Sequence, residues 1–357
     1  MRIRLLAAGC ALSLLAAACG SESPVTEARF GLIDPGDAPV LQVLAYDYEP
    51  SSSLAYGFIM DMDMNMSMEF PGLGDSGDMS MGMSMGGDIA YDVAAGPQPG
   101  STELTMRSNL RDFDLGHFTV DGQSMAGQLS AADLAEMESQ TALPEMSVVV
   151  GANGEILELR YGDTAMPTDM LGSFGAGGFS DPTGMSLTGL FGPEMPLEAV
   201  GVGAEWIVDT SEDVPFIGTL ESSTHHWITA QQEFKGRDVL VIVSATEIED
   251  VEMDLMEMME SMLAMDSASM ASMGMDPADL AGMTSELFDG MEMTMRFSYD
   301  DLKNTTYFDP LDGVVVWTSS EALMSGSMDM VTPDGSGSMT FDMRMDMQMV
   351  AADAGEV

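Results

Sequence analysis

From Ile59 to Phe70 apolar and polar residues alternate. Met60, Met62, Met64, Met66, Met68 and Phe70 form one set, and Asp61, Asp63, Asn65, Ser67 and Glu69 form the other. A period of two puts these sets on opposite faces of an extended chain, so the segment predicts a strand with one buried and one wet face. The pattern returns over Met79 to Met85, Met291 to Tyr299 and Met339 to Met349. Strands wetted on one side belong to antiparallel sheets.

Turn chemistry supports the same picture. Ser147 to Val150 and Glu155 to Leu159 flank Asn153-Gly154, a pair suited to the positive φ angles of a type I' turn. Asp312-Gly313 separates Thr306-Tyr307-Phe308 from Val314 to Trp317 in a second predicted hairpin of that kind. Trp227 to Thr229 and Val239 to Val243 bracket Lys235-Gly236-Arg237-Asp238 in a third.

Helical signals are few. Ser130 can cap a segment whose apolar stripe predicts a helix over 131–142, and Asp276-Pro277 is a suitable start for one over 277–288. Ile248, Val251, Leu255, Met258, Met259, Met262 and Leu263 recur at helical spacing among acids, which predicts a helix over 248–265 in an acidic, Met-rich insert spanning 247–288. The expected fold is therefore β-rich α+β: curved antiparallel sheet, of which a half-barrel is one form, with these few helices as covers.

Ala-Asp-Leu-Ala-x-Met occurs at Ala132 to Met137 and again at Ala278 to Met283, each followed by strands. This suggests two similar β-rich halves, 39–165 and 194–351. Chance similarity in a biased composition explains the match as well. Residues 166–193 between them are rich in Gly and Pro and fit either a linker or a long loop.

At the N-terminus, Arg2 and Arg4 precede an apolar run from Leu5 to Ala18, shorter than the roughly 20 residues that span a bilayer as a helix. It predicts an export signal over 1–18. Its end, Leu15-Ala16-Ala17-Ala18-Cys19-Gly20-Ser21, resembles the bacterial lipoprotein signal, although Ala16 stands where Leu is usual. That resemblance implies lipidation of Cys19, with acyl groups such as palmitate, and a tether over 19–38 that holds the body outside the cytoplasm at a cell membrane or outer membrane. Cys10 would leave with the signal. Disulfides, Cys-ligated metals and cysteine nucleophiles are then excluded.

Composition narrows the partners. With 11 Lys plus Arg against 59 Asp plus Glu, the formal charge is -48, which repels phosphate backbones and excludes nucleic acid as an expected partner. At 45% hydrophobic residues the chain still has enough apolar material for real cores, so the acid belongs to the surface of a folded protein. Such a surface also suits salty surroundings.

Candidate chemistry is weighed against packing. The 39 Met residues raise the possibility of a Cu(I) site, since thioethers are soft donors. Met at i and i+2 lie about 7 Å apart on a strand, so only cross-strand neighbours could share a metal. Their register with Asp and Glu favours core packing for Met62, Met64, Met66, Met343, Met345 and Met347. Asp61-x-Asp63-x-Asn65 opens like a calcium loop, but Met66 and Gly72 stand where Gly and Glu are needed. Gly82-Met83-Ser84-Met85-Gly86 matches G-x-S-x-G without the strand, elbow and helix that expose a nucleophile. His225 and His226 are expected on opposite faces of a strand, and His117 has no recognisable partner spacing. No catalytic, cofactor-binding or metal residue is therefore assigned, and the expectation is a non-enzyme without a cofactor.

Val200-Gly201-Val202-Gly203-Ala204-Glu205-Trp206, followed by repeated strands, resembles a V-G-x-G-x-x-W segment of uncharacterised bacterial lipoproteins. The resemblance implies location and architecture but no activity. Likeness to lipoprotein-carrier half-barrels is more distant and rests on no diagnostic residue. Physically, Gly201 and Gly203 permit a bend before a strand, and Trp206 is a core anchor. The functional expectation is a lipid-anchored envelope protein that binds an apolar ligand or an envelope partner. The alternatives are an extracytoplasmic Met-rich Cu(I)-binding protein and a structural or adhesion lipoprotein.

Overall fold

The computed structural model describes residues 29–36, 41–70, 75–125, 146–161, 164–166, 192–214, 218–254, 292–332 and 335–352. The first group of strands is β1 (Arg29–Asp34), β2 (Gln42–Val43), β3 (Ser53–Phe70), β4 (Asp75–Ala95), β5 (Thr102–Val120), β6 (Gln123–Ser124), β7 (Met146–Val150), β8 (Ile156–Tyr161) and β9 (Thr164–Met166). The second is β10 (Ala199–Val200), β11 (Glu205–Val214), β12 (Gly218–Phe234), β13 (Arg237–Ile248), β14 (Val251–Asp254), β15 (Glu292–Asp309), β16 (Val314–Thr332) and β17 (Gly335–Ala351). Each alternating Met segment lies in a strand: β3, β4, β15 and β17.

Fifteen strands form one antiparallel sheet in the order β1-β11-β12-β13-β15-β16-β17-β3-β4-β5-β7-β8-β9, with β14 beside β15 and β6 beside β5. The two β-rich stretches of the chain meet where Ser338 to Ala351 of β17 pair with Tyr56 to Glu69 of β3, so the sheet runs through both. It remains open, with β1 and β9 at its ends. β2 and β10 form a separate two-stranded ribbon.

The sheet is curled. The adjacent residues Tyr46 and Asp47 reach the turn after β7 and the turn before β16, although five ladder steps separate these strands, roughly 24 Å if the sheet were flat. Short segments tie the curl at one end. Tyr46 N–H donates to Ala152 O in the β7–β8 turn (2.7 Å) and Asp47 N–H donates to Gly313 O in the β15–β16 turn (3.0 Å). Met195 N–H reaches Asn153 O at 2.6 Å, and the Tyr46 hydroxyl donates to Pro193 O at 2.8 Å. Leu44, Tyr46 and Met195 thereby pack with Trp206, Ile228, Ile242, Phe308 and Val315 in a second buried cluster.

The hairpins lie where the sequence puts them, with different turn geometry. Gly154 and Gly313 have positive φ but Asn153 and Asp312 do not, so neither turn is type I'. Gly154 N–H donates back to Gly151 O, and Gly313 N–H to Asp309 O, which closes longer loops that end on a left-handed glycine. Lys235 and Gly236 are both at positive φ between the paired Phe234 and Arg237, the two-residue geometry of a type I' turn. Asp121-Gly122 does the same between β5 and β6, a hairpin that the sequence reading missed.

The covering helices are not part of the described structure, in which no residue is α-helical. For 248–265 this is a correction: Ile248 ends β13, and Val251–Asp254 is β14, paired with Thr294 to Phe297 of β15. Val251-Glu252-Met253-Asp254 alternates with period two as well as fitting a helical stripe. Pairing with β15 supplies its backbone hydrogen bonds and buries Val251 and Met253 against Phe297. The helices expected over 131–142 and 277–288, and the rest of 248–265, lie outside the described residues.

Candidate ligand-binding face

Strand register assembles the methionines into rows. Met60 stands opposite Met347 on one side and Met85 on the other. Met62 stands between Met345 and Met83, and Met64 between Met343 and Met81. Met324 of β16 extends the last row beyond Met343. Side chains directly opposite one another across strands have Cβ atoms about 5 Å apart, so each row sets methionine side chains next to one another.

The reverse face is acidic. Asp61, Asp63 and Glu69 are exposed there, with Asp342 and Arg344 of β17. Arg344 Nε donates to Asp346 at 2.8 Å, and Arg296 donates to both Glu252 and Asp329 at 2.8 Å. These neighbouring carboxylates raise the pKa of both guanidiniums, but the pairs are solvated. Asp61, Asp63 and Asn65 thus sit on an extended strand, which does not fold back as a calcium loop must.

Burial changes along the Met face in one direction. Met60 is 1% exposed and Met62 9%, whereas Met64, Met66 and Met68 are half-buried. On β17, Met349, Met347 and Met345 are buried, and Met343, Phe341 and Met339 are half-buried. On β4 the change falls between Met83 and Met81. Three adjacent strands therefore pass from buried to half-buried apolar side chains at the same register step. The closed end is the one tied by Tyr46, Met195 and their neighbours.

Across the curl, the row containing Met60 and Met347 continues as Ser320, Asn304, Ser244, His226 and Trp206. His226 is buried, stacks on Trp206 (ring centroids 5.0 Å apart) and shares a 2.7 Å hydrogen bond between Nδ1 and Ser244 Oγ. Burial, and secondarily the neighbouring His225, lowers its pKa to about 3, so the imidazole is neutral at ordinary pH. Thr224 and Thr246, and Thr210 and Ser222, pair their hydroxyls on the same face. The Ser320 hydroxyl oxygen is buried without a hydrogen-bond partner. The interior thus has a thioether wall beside a hydroxyl-bearing one.

His225 points to the other face and packs on Trp227 at 3.9 Å between ring centroids, as expected for adjacent strand residues. Trp206 is fully buried and donates Nε1–H to Glu194 O at 2.9 Å. Gly203, at φ +90°, makes the turn just before β11. Glu194 was not singled out by the sequence. Burial, and then the charge of Glu155, pushes its pKa up to about 7. Its buried surroundings come from contacts distant in sequence, so no local pattern marks it.

Ser84 lies inside the continuous strand β4, opposite Asp61, with no elbow to expose it. His117 does have a partner: its Nε2 is 2.9 Å from Ser80 Oγ. A Cβ added at Gly82 would lie 2.6 Å from His117 Nδ1 and 2.7 Å from Asp63 Oδ1, so this glycine lets the two side chains approach above it. Asp63, Ser80 and His117 lie on the wet face of three adjacent paired strands, β3, β4 and β5. Backbone N–H groups engaged in these ladders are not free to form a backbone oxyanion hole. Among the described residues no three His, Cys, Asp or Glu side chains group to hold a metal ion. Cys19 lies outside the described residues.

No protein-family profile and no curated protein matches the chain. Solved structures give weak likenesses. An outer membrane channel from Pseudomonas putida F1 is 7% identical with a TM-score of 0.16, covering 89% of this chain and 99% of its own. The outer membrane protease OmpT from Escherichia coli is 6% identical with a TM-score of 0.14, covering 85% and 98%.

Proposed function

We propose that this is a lipid-anchored, non-enzymatic protein of the cell envelope, whose curled sheet serves as a half-barrel that binds an apolar ligand on its methionine face. The observation that carries the reading is the burial step shared by β3, β4 and β17. The row of Met64, Met81, Met324 and Met343 stays half-buried beside the buried Met core, although Met81 and Met343 pack against that core and Met324 against the cluster of Ile248, Val251, Met253 and Phe297. Methionine suits such a surface because its unbranched, polarisable side chain reshapes around varied guests. The export signal and Cys19 support the location, and the acidic reverse face keeps the sheet from lying against anionic lipid.

A titration with the fluorescent apolar probe N-phenyl-1-naphthylamine tests this. The native protein binds the probe saturably, and Met64→Asp with Met343→Asp reduces affinity at least tenfold. Equal binding by both proteins would refute the assignment of this face.

A second reading is favoured by the same row. Met324, Met343, Met64 and Met81 stand on four adjacent strands, the cross-strand arrangement that lets thioethers converge on Cu(I). Tight, stoichiometric Cu(I) binding is its signature.

A further inference from the structure

The methionine face has two tiers. Met60, Met62, Met83, Met85, Met345 and Met347 are buried, while the adjoining row of Met64, Met81, Met324 and Met343 is half-buried. Consecutive members of β3, β4 and β17 on either side of the step are two residues apart, so identical thioethers differ chiefly in access to solvent.

We infer that the half-buried row is a site of reversible oxidation to methionine sulfoxide, and that this oxidation switches off ligand binding. The chemistry is oxygen-atom transfer from a peroxide. A thioether lone pair attacks one oxygen of hydrogen peroxide, the S–O bond forms as the O–O bond breaks, and proton transfer releases water. Sulfur is oxidised by two electrons and the peroxide is reduced by two. The product is polar and chiral, so it replaces a flexible apolar contact with a strong hydrogen-bond acceptor beside the buried core.

The geometry makes this a local change. The inner tier is packed against Tyr56, Ile89 and Val148, and the closed end is held by backbone hydrogen bonds that contain no methionine side chain. Oxidation therefore proceeds to the step and stops there, changing the polarity of the open face without dismantling the core. Its effect on binding rests on the apolar-ligand reading, whereas the pattern of oxidation does not.

Two readouts keep these apart. The full chain is treated with hydrogen peroxide and quenched, and each methionine is followed by fragmentation mass spectrometry. Met64, Met81, Met324 and Met343 are expected to oxidise at least tenfold faster than the six inner residues. Binding of N-phenyl-1-naphthylamine should weaken at least fivefold in step with that row and return after methionine sulfoxide reductase treatment. A variant with all four replaced by Leu has no sulfur to oxidise in this row, so whatever probe affinity it has should not fall on peroxide treatment. Enzymatic restoration of the native protein gives the same answer if that variant fails to fold. Equal oxidation rates across the step overturn the two tiers. A tiered pattern with unchanged probe binding overturns the switch and leaves the ligand reading intact. No probe binding before oxidation overturns the switch together with the ligand reading, while the tiers stand.

Discussion

Trp206 and Glu194 are joined by an indole hydrogen bond to a backbone oxygen, and the Glu194 carboxylate in turn accepts from Asn153 Nδ2 at 3.3 Å. Residues of β11 and of the β7–β8 turn, far apart along the sheet, thus meet on one residue. Its carboxyl, with a pKa of about 7 against an ordinary 4.5, binds its proton more tightly in the folded chain. The stabilisation is fully present below the unfolded pKa and is lost as pH rises through 7. Glu194→Gln should remove this slope. In urea titrations from pH 4.5 to 8, the native protein should lose stability relative to the variant by no more than about 3 kcal/mol. Parallel curves would contradict the burial of this carboxyl.

Two turn glycines should respond differently to alanine. At Gly154 the φ is +89°, and an added Cβ would lie 2.5 Å from the Tyr46 ring and 3.0 Å from Pro193 O. At Gly236 the φ is +83° and nothing lies within 4 Å. Gly236→Ala is expected to cost about 1–2 kcal/mol from backbone strain alone. Gly154→Ala should cost more, with lost closure of the curl. Equal midpoint shifts in urea would contradict the packing of Tyr46 beneath that turn.

Most of the sheet was legible because alternation is a local signal. Met60 to Phe70 needs only its own residues to declare a two-faced strand. The row Met324–Met343–Met64–Met81 was not legible, since register depends on which strands pair and where bulges such as that at Ile228/Ala230 fall. Val251 to Asp254 misled for a physical reason: the segment satisfies both periods, and the tertiary partner decides. His117 beside Ser80 escaped notice because only the unoccupied space above Gly82 brings the imidazole across the strand.

Replacing Met62, Met64, Met66, Met343, Met345 and Met347 together by Leu keeps volume nearly constant. The expected cost is about 1 kcal/mol per site, with the sheet retained by circular dichroism. Anaerobic titration should show negligible Cu(I) affinity in both proteins. Submicromolar native binding that disappears in the Leu variant would establish the copper reading instead.

For the anchor, the native protein should fractionate with membranes and start at an acylated Cys19, whereas Cys19→Ser should be recovered as unmodified protein in the soluble fraction. A variant that still sediments with membranes would show that something other than this lipid holds it there.

Native mass spectrometry of protein extracted gently from its own membranes tests the ligand reading most directly. The expected spectrum shows a stoichiometric noncovalent adduct of lipid-like mass, absent from Met64→Asp with Met343→Asp when that variant retains its sheet. The bare mass of the acylated chain, or that mass with one copper ion, would contradict it.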